Sequence, residues 1–399
     1  MTNGVGDLAL FGGPPAFDRT RVVGRPRIGD RARFLDRLDK VLDSGWFTHN
    51  GPLVQEFERK VAETAGVGHC VLVTSATTAL ELMLDAAGVT GEVIMPSMTF
   101  IATAHSARVR GLQPVFCDID PVTGCIDPDE VERLITPRTT AIAGVHLWGQ
   151  PCAVDRLQKI ADANGLFLYF DAAQALGSTF EDTPVGSFGS AEVFSFHATK
   201  VVNSFEGGAV VTNDGELAEK IRLRHKFGMN ASGVVCREGT NAKMTEACAA
   251  MGLTSLEALE DSIRANIDRH ADYRAALAGT PGIEVVEFNP AHHNNHQYLI
   301  IKVDHAENGL RRDTLLDLLR AENVFAQRYF SPCCHQLEPY RTENPVVLPR
   351  TEALAEQVIA LPTGHAITTE DVTTISELIT RAAVNGTELT RRREAVGVS

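Results

Sequence analysis

An α/β fold, with a large domain on a mainly parallel sheet followed by a smaller α+β domain, is predicted by three observations. Between residues 70 and 171, apolar runs of strand length alternate with segments of helical period, the signature of a parallel sheet covered on both faces. Beyond about residue 262 the pattern changes to short strands with two clear helices. The chain has 399 residues, 44% hydrophobic and 22% charged, enough to bury a large core in two or three domains without disulfide staples. The predicted division is an N-terminal arm over 1–30, the large domain over 31–262, the small domain over 263–385 and a solvated tail over 386–399.

In chain order, FGGPPAFDRTRVVGRPRIGD is rich in Gly, Pro and Arg without periodicity and reads as an irregular arm on or between subunits. RARFLDRLDKVLDSG follows, its apolar residues Phe34, Leu35, Leu38, Val41 and Leu42 at helical spacing up to a stop at Gly45. The turn WFTHNGP mixes aromatics with small polar groups, and either lines a polar ligand pocket or packs at a helix junction before the helix LVQEFERKVAETAG. In CVLVTSATTALELMLDAAG a strand runs through Thr74-Ser75-Ala76-Thr77-Thr78 into a helix. Free N–H groups and hydroxyls at such a helix start form a cup for phosphate, favoured by the aligned peptide dipoles. Plain Ser/Thr capping accounts for the same residues. Strands and helices then alternate through EVIMPSM, TFIATAHSARVRG, PVFCDI, DPDEVERLI, TAIAGVHLW and AVDRLQKIADANG to LFLYF, which ends in Asp171-Ala172-Ala173-Gln174.

The next apolar strand, VFSF, ends just before Lys200, and a Glu206-Gly207-Gly208 turn leads into another strand. Such a lysine is either a surface residue at a strand end or an amine in a desolvated pocket, where its neutral form can add to a carbonyl. Open α/β sheets bind ligands at the carboxyl ends of their strands, so the cup near Ser75, the Asp171 carboxylate and the Lys200 amine can converge on one ligand. Asp171 as a helix N-cap is the alternative. Phosphate cup, carboxylate and lysine are the three needs of pyridoxal 5′-phosphate (PLP): its aldehyde condenses with a lysine and its ring nitrogen pairs with an acid. Lys200 is then the natural base to move the Cα proton of an amino donor.

After residue 213 the helix GELAEKIRLRHKF leads to Gly228-Met229-Asn230 and a loop of small residues over 231–242. A long helical stretch from TEACAAMG to RAALAG bridges the domains, and EVVEFNP, HQYLIIKVD, GLRRDTLLDLLRAEN and TEDVTTISELITRAAV make up the α+β part. LTRRREAVGVS reads as a solvated tail rather than a basic recognition patch. A formal net charge of −14 argues against nucleic-acid and anionic-membrane partners, so an anionic ligand needs a local pocket. Eight cysteines without C-x-x-C pairs or ligand-like spacing read as reduced thiols, with no metal expected. MTNGVGDLALFGG lacks a basic segment followed by an apolar core, and no apolar run approaches membrane-span length, so a cytoplasmic protein is expected.

On SGWFTHNGPLVQEFE, TSATTALELML, MPSMTF, CDIDPVTGCIDP, GVHLWGQP, DAAQALGS, SFHATK, YFSPCCH and ALPTG, the chain resembles the DegT/StrS family of PLP-dependent sugar aminotransferases. The resemblance implies a type I PLP-dependent aminotransferase fold and a homodimer with active sites at the subunit interface. It implies Lys200 as the Schiff-base lysine, Asp171 as partner of the pyridine nitrogen and Gln174 beside the ring hydroxyl. It places Phe100 on the ring face, Ala76 and Thr77 in the phosphate cup, Ser195 as a further phosphate ligand and Asn230 reaching the phosphate from a partner subunit. Core packing for Phe100 and a plain strand hydroxyl for Ser195 are the alternatives. Thr48, Asn50 and His335 are the substrate-binding candidates, and Cys333-Cys334 stand where relatives commonly have smaller or apolar residues.

Family members that aminate C4 of a nucleotide-linked 4-keto sugar typically carry SFH before the lysine, whereas those acting at C3 more often carry SFY-P; this chain has Ser195-Phe196-His197. LFGGPPAF and VGRPRIGD also resemble enzymes that make 4-amino-4,6-dideoxy sugars in actinomycete secondary metabolism. The expected reaction moves the amino group of L-glutamate to C4 of dTDP-4-keto-6-deoxyglucose, for natural-product glycosylation. Aminotransfer at C3 or to a keto-inositol is the alternative within the same chemistry. A dehydratase of this fold would replace Lys200, commonly by histidine, and a non-catalytic regulator would have no need of lysine, aspartate and cup together.

Overall fold

Seven apolar strands form the central sheet of the computed structural model, which describes residues 5–341 and 345–396. Named by first residue, their order across the sheet is His69, Gly208, Ala191, Phe167, Thr139, Glu92, Gln113. Gly208–Thr212 runs antiparallel to both neighbours, and the pairings from Ala191 across to Gln113 are parallel. Alternate side chains leave a strand on opposite faces, so Val71 and Val73 enter one apolar core while Cys70 and Leu72 enter another. Both faces are therefore buried, which explains why the strands read as continuous apolar runs. The helix Pro52–Ala65 begins at Gly51, which has no side chain to cap it; Glu246 does so instead, accepting from the Leu53 and Val54 amides at 2.8 and 3.1 Å.

The small domain is a three-stranded antiparallel sheet, Ile283–Val285, Leu299–Val303 and Val358–Leu361, against the helices Arg312–Ala321 and Thr369–Val384. The helix Leu259–Leu277 joins the domains and runs continuously through position 262. The arm, expected to be irregular, is seated on the small domain. Val5, Leu8 and Phe17 are buried in its core, Ala9 and Ala16 donate their amides to the Glu322 carboxylate at 2.8 Å each, and Arg21–Val22 pairs in parallel with Val324–Phe325.

The stretch expected as a solvated tail is a helix, Gly386–Val396. Leu389 on it is fully buried in the same apolar core, and the Thr390 hydroxyl donates to the Gly309 carbonyl at 2.9 Å. The run of arginines in LTRRREAV masks the single apolar anchor one turn earlier. Residues 1–4 of the arm and 397–399 of the tail lie outside the described residues. All eight cysteines are free thiols, and among the described residues no helix is long and apolar enough to cross a membrane.

Candidate active site

The ends of the strands Phe167–Asp171 and Ala191–Ser195 and the start of the helix Ala76–Ala87 open onto one cavity of about 290 Å³. Asp171, Gln174, Ser195, Lys200, Ala76, Thr77 and Phe100 all line it. The convergence follows from topology: successive parallel strands deliver their carboxyl ends to the same edge of the sheet.

Ser75 caps the helix, its hydroxyl accepting from the Thr78 amide at 3.1 Å. The capping explanation therefore holds for Ser75. The amides of Ala76 and Thr77, in the first turn, have no intrahelical acceptor and remain for an anion. Gly208 passes directly over this turn; a Cβ there would overlap the Ala76 nitrogen and the Ser75 carbonyl carbon. Only glycine lets the strand Gly208–Thr212 come that close.

Asp171 is only 6% exposed. The Thr103 hydroxyl donates to its Oδ2 at 2.7 Å and the Ala173 amide to its Oδ1 at 3.1 Å, while Thr103 in turn contacts the Thr99 hydroxyl at 2.8 Å. Among the described residues no cation pairs with it. A buried carboxylate without a cation is costly, so the site calls for a positively charged ligand group against Asp171. Gln174 is fixed beside it, its Oε1 accepting from the Trp148 amide at 2.7 Å.

Lys200 Nζ donates to the Tyr298 hydroxyl at 3.0 Å and lies 5.6 Å from the centre of that ring. Tyr298 belongs to the small-domain strand region, so the amine bridges the two domains. Tyr329 and Phe330 close the cavity from the same domain, with Phe100, 58% exposed, 6.1 Å from Phe330 between ring centres. The sequence reading missed Tyr298, Thr103, Tyr329 and Phe330. An anion cradle, an unpaired buried carboxylate and an amine held only by a phenol fit the phosphate, pyridinium and aldehyde of PLP.

Four candidates stand elsewhere. His335 is outside this cavity: its Nδ1 contacts the Ser97 hydroxyl at 2.7 Å and its Nε2 the Glu352 carboxylate at 3.1 Å, so both ring nitrogens are engaged internally. Beside it, burial pushes the Cys333 and Cys334 thiols up to about 12, which makes them packing groups rather than nucleophiles. Thr48 and Asn50 lie on a surface turn flanked by exposed Trp46 and Phe47. Asn230 folds back on its own loop, accepting from the Ser232 and Val234 amides at 3.0 Å each. None of these three lines the cavity.

Comparison with known proteins agrees with this geometry. Residues 29–380 match the DegT/DnrJ/EryC1/StrS aminotransferase family. The chain is 35% identical to the dTDP-4-amino-4,6-dideoxy-D-glucose transaminase of Escherichia coli, over 91% of this chain and 98% of that protein. It superposes with a TM-score of 0.95 on DesI, solved in the presence of its TDP-sugar product, at 55% identity over 98% of this chain and 100% of that one. It superposes with a TM-score of 0.83 on DesV of S. venezuelae, solved in complex with a ketimine intermediate, at 32% identity over 90% of this chain and 98% of that one. The chain belongs to the DegT/DnrJ/EryC1/StrS aminotransferase family and is a PLP-dependent sugar aminotransferase.

Proposed function

We propose that the chain transfers the amino group of L-glutamate to C4 of dTDP-4-keto-6-deoxyglucose, giving a 4-amino-4,6-dideoxy sugar. The observation that carries this is the 55% identity over 98% of the chain to DesI, described with its TDP-sugar product. The E. coli relative, named for the same kind of sugar, supports it. The Ser195-Phe196-His197 sequence before Lys200 points to C4 rather than C3. The LFGGPPAF and VGRPRIGD resemblance supports use of the product in natural-product glycosylation, by a cytoplasmic enzyme.

In this reading Ala76, Thr77 and Ser195 hold the cofactor phosphate, Asp171 the ring nitrogen, Gln174 the ring hydroxyl and Phe100 a ring face. When bound, PLP supplies the electron sink for the carbanion formed at the carbon that bears the transferred nitrogen. Lys200 tethers the cofactor, and its freed amine takes the donor's Cα proton and later returns one to the sugar carbon. Tyr298, 3.0 Å from Nζ, aims that amine and shares its proton. Thr103 fixes the Asp171 carboxylate in one orientation through the 2.7 Å bond. The aromatic wall of Phe100, Tyr329 and Phe330 limits water at the reacting atoms.

The working unit in this reading is a homodimer. Exposed Trp46, Phe47, Phe227, Met229, Val234 and Val235 flank Thr48, Asn50 and Asn230, three of the four candidates that miss the cavity. Apolar surface of that size on a soluble protein supports an interface between subunits. There Asn230 of the partner subunit reaches the phosphate, and Thr48 and Asn50 meet substrate from across the interface. His335, expected at the substrate, has both ring nitrogens engaged by Ser97 and Glu352.

The test is to incubate the purified protein with PLP, L-glutamate and dTDP-4-keto-6-deoxyglucose and to identify the product by mass and NMR. An amine at C4 is expected. An amine at C3, or no product with a lysine-bound cofactor, overturns the substrate assignment and directs the search to 3-keto sugars and keto-inositols.

A further inference from the structure

Gln174 faces the cofactor cavity with one of its two polar ends already committed. A backbone N–H can only donate, so the atom that accepts from the Trp148 amide at 2.7 Å is the carboxamide oxygen, and the Nε2 donors are what Gln174 has left for the cavity. That amide belongs to an unusual backbone. Trp148, 2% exposed, has φ 55° and ψ 25°, a left-handed conformation that a bulky residue keeps only where its surroundings impose it.

The surroundings are two buried carboxamides on the loop that enters the small-domain strand Leu299–Val303. Asn294 donates its Nδ2 to the Trp148 carbonyl at 3.3 Å, and its own Oδ1 is fixed by the His296 amide at 2.7 Å. Asn295 donates its Nδ2 to the carbonyls of Gln174 and Leu176 at 2.9 and 3.1 Å, and its Oδ1 accepts from the Gln297 amide at 3.0 Å. Gly149, with φ 86°, is pressed against both: a Cβ there would stand 2.9 Å from Asn295 Oδ1 and 3.0 Å from Asn294 Oδ1. The loop continues to Gln297, whose Nε2 donates to the Thr199 carbonyl at 2.7 Å on the wall of a second cavity, of about 400 Å³, that Lys200 shares. It ends at Tyr298, the partner of Lys200 Nζ. One short stretch of the small domain thus reaches the supports of both Gln174 and Lys200.

We propose that Asn294 is a positioning residue for Gln174: by holding the Trp148 carbonyl it keeps the turn left-handed, and the turn keeps the Gln174 oxygen occupied, so that Nε2 donates to the ring hydroxyl oxygen of the cofactor. The proposal rests on the reading that Gln174 meets that hydroxyl. A donated N–H stabilises the anionic form of the oxygen. Without Asn294 the Trp148 amide is released, the carboxamide is free to invert, and the ring oxygen loses its donor. It then becomes a stronger base and holds its proton to a higher pH.

The test uses two readouts other than turnover. The visible band of the lysine-bound cofactor is titrated with pH, and the apoenzyme is titrated by calorimetry with PLP and with 3-deoxypyridoxal 5′-phosphate, which lacks the ring hydroxyl. In Asn294→Ala the midpoint of the band is expected to rise by about half a unit to one unit, and the preference for PLP over the analogue to fall about threefold to tenfold. Gly149→Ala is the second variant. It keeps every hydrogen-bonding group of the loop while its Cβ pushes on Asn294 and Asn295, so it carries the test if Asn294→Ala does not fold, and the same two changes are expected. Equal loss of affinity for both compounds with an unmoved midpoint, in whichever variant folds, would make the loop a structural support only and overturns the proposal. Gln174→Ala separates the two layers of the argument. If that variant binds PLP and the analogue in the wild-type ratio, the reading of Gln174 at the ring hydroxyl fails first; if the ratio falls there but not in the Asn294 and Gly149 variants, the positioning role alone is wrong.

Discussion

The two cavities that share Lys200 are built on opposite plans. In the first, strand ends and a helix start within one sheet place the groups, and neighbours already hold the side chains: Thr103 holds Asp171, Trp148 holds Gln174 and Tyr298 holds Lys200. In the second, five separated segments meet, Arg25 and Arg27 have no carboxylate partner among the described residues, and two buried polar atoms, Gln297 Oε1 and the Thr363 hydroxyl, have no hydrogen-bond partner. Preset geometry suits a cofactor that stays through every cycle, and the second cavity, with bonds left unmade, is not preset in that way.

The sharpest break of that contrast is Lys200→Ala, which removes the amine common to both cavities. Turnover is expected to vanish while PLP still binds without a covalent link, read as a shift of its visible absorbance band and a null rate. Normal turnover would remove the central role assigned to Lys200. Next is Asp171→Asn, confined to the preset cavity: an amide cannot hold a proton on the ring nitrogen, and a rate loss of about 10²- to 10⁴-fold is expected in single-turnover kinetics. Unchanged kinetics would mean that another group serves. Tyr298→Phe deletes the contact of the amine with the small domain. A kcat drop of about tenfold with an altered pH profile is expected; a change in KM alone would assign the phenol to substrate binding.

The smallest effect compares the two domains through stability. Burial pushes the pKa of His225 in the large domain, and that of His296 beside the second cavity, down from 6.5 to about 4. The unfolded chain takes up protons near 6.5 that the folded chain refuses until about 4, so stability is full above this window and falls as the pH drops through it. Melting temperatures measured across that range should decline by a few degrees, and less steeply in His225→Gln or His296→Gln. A flat profile would show that neither imidazole is held neutral by the fold.

The first cavity was legible in the sequence because each of its main groups sits at a local signal. Lys200 and Asp171 follow apolar strands, and Ala76 and Thr77 open a helix after Ser75. Tyr298 and Thr103 were not legible. One is 98 positions from Lys200 and the other 68 from Asp171, and only the packing of domain on domain and helix on strand brings them in. The second cavity had no chemical signal: Arg25 and Arg27 lie in VGRPRIGD and Thr363 in ALPTG, segments read for resemblance alone, and Gln297 stands in no motif. The antiparallel direction of Gly208–Thr212 was not legible either, because the loop 196–207 that separates it from Ala191–Ser195 is long enough to allow either direction. The tail was misread because one buried leucine among arginines sets no period, yet Leu389 anchors the helix Gly386–Val396.

The seating of the arm has a bearing on how the protein is made. Val5, Leu8 and Phe17 leave the ribosome early, but the core that receives them also contains Leu315, Ile375 and Leu389, which are translated near the end. At about 5–20 residues per second, the arm waits for tens of seconds while the sheet that carries Lys200 is synthesised and can close without it. Translation that stops short of Leu389 would therefore yield a chain with its sheet formed and its first apolar residues still unplaced, a species that cellular quality control can recognise by that exposed segment.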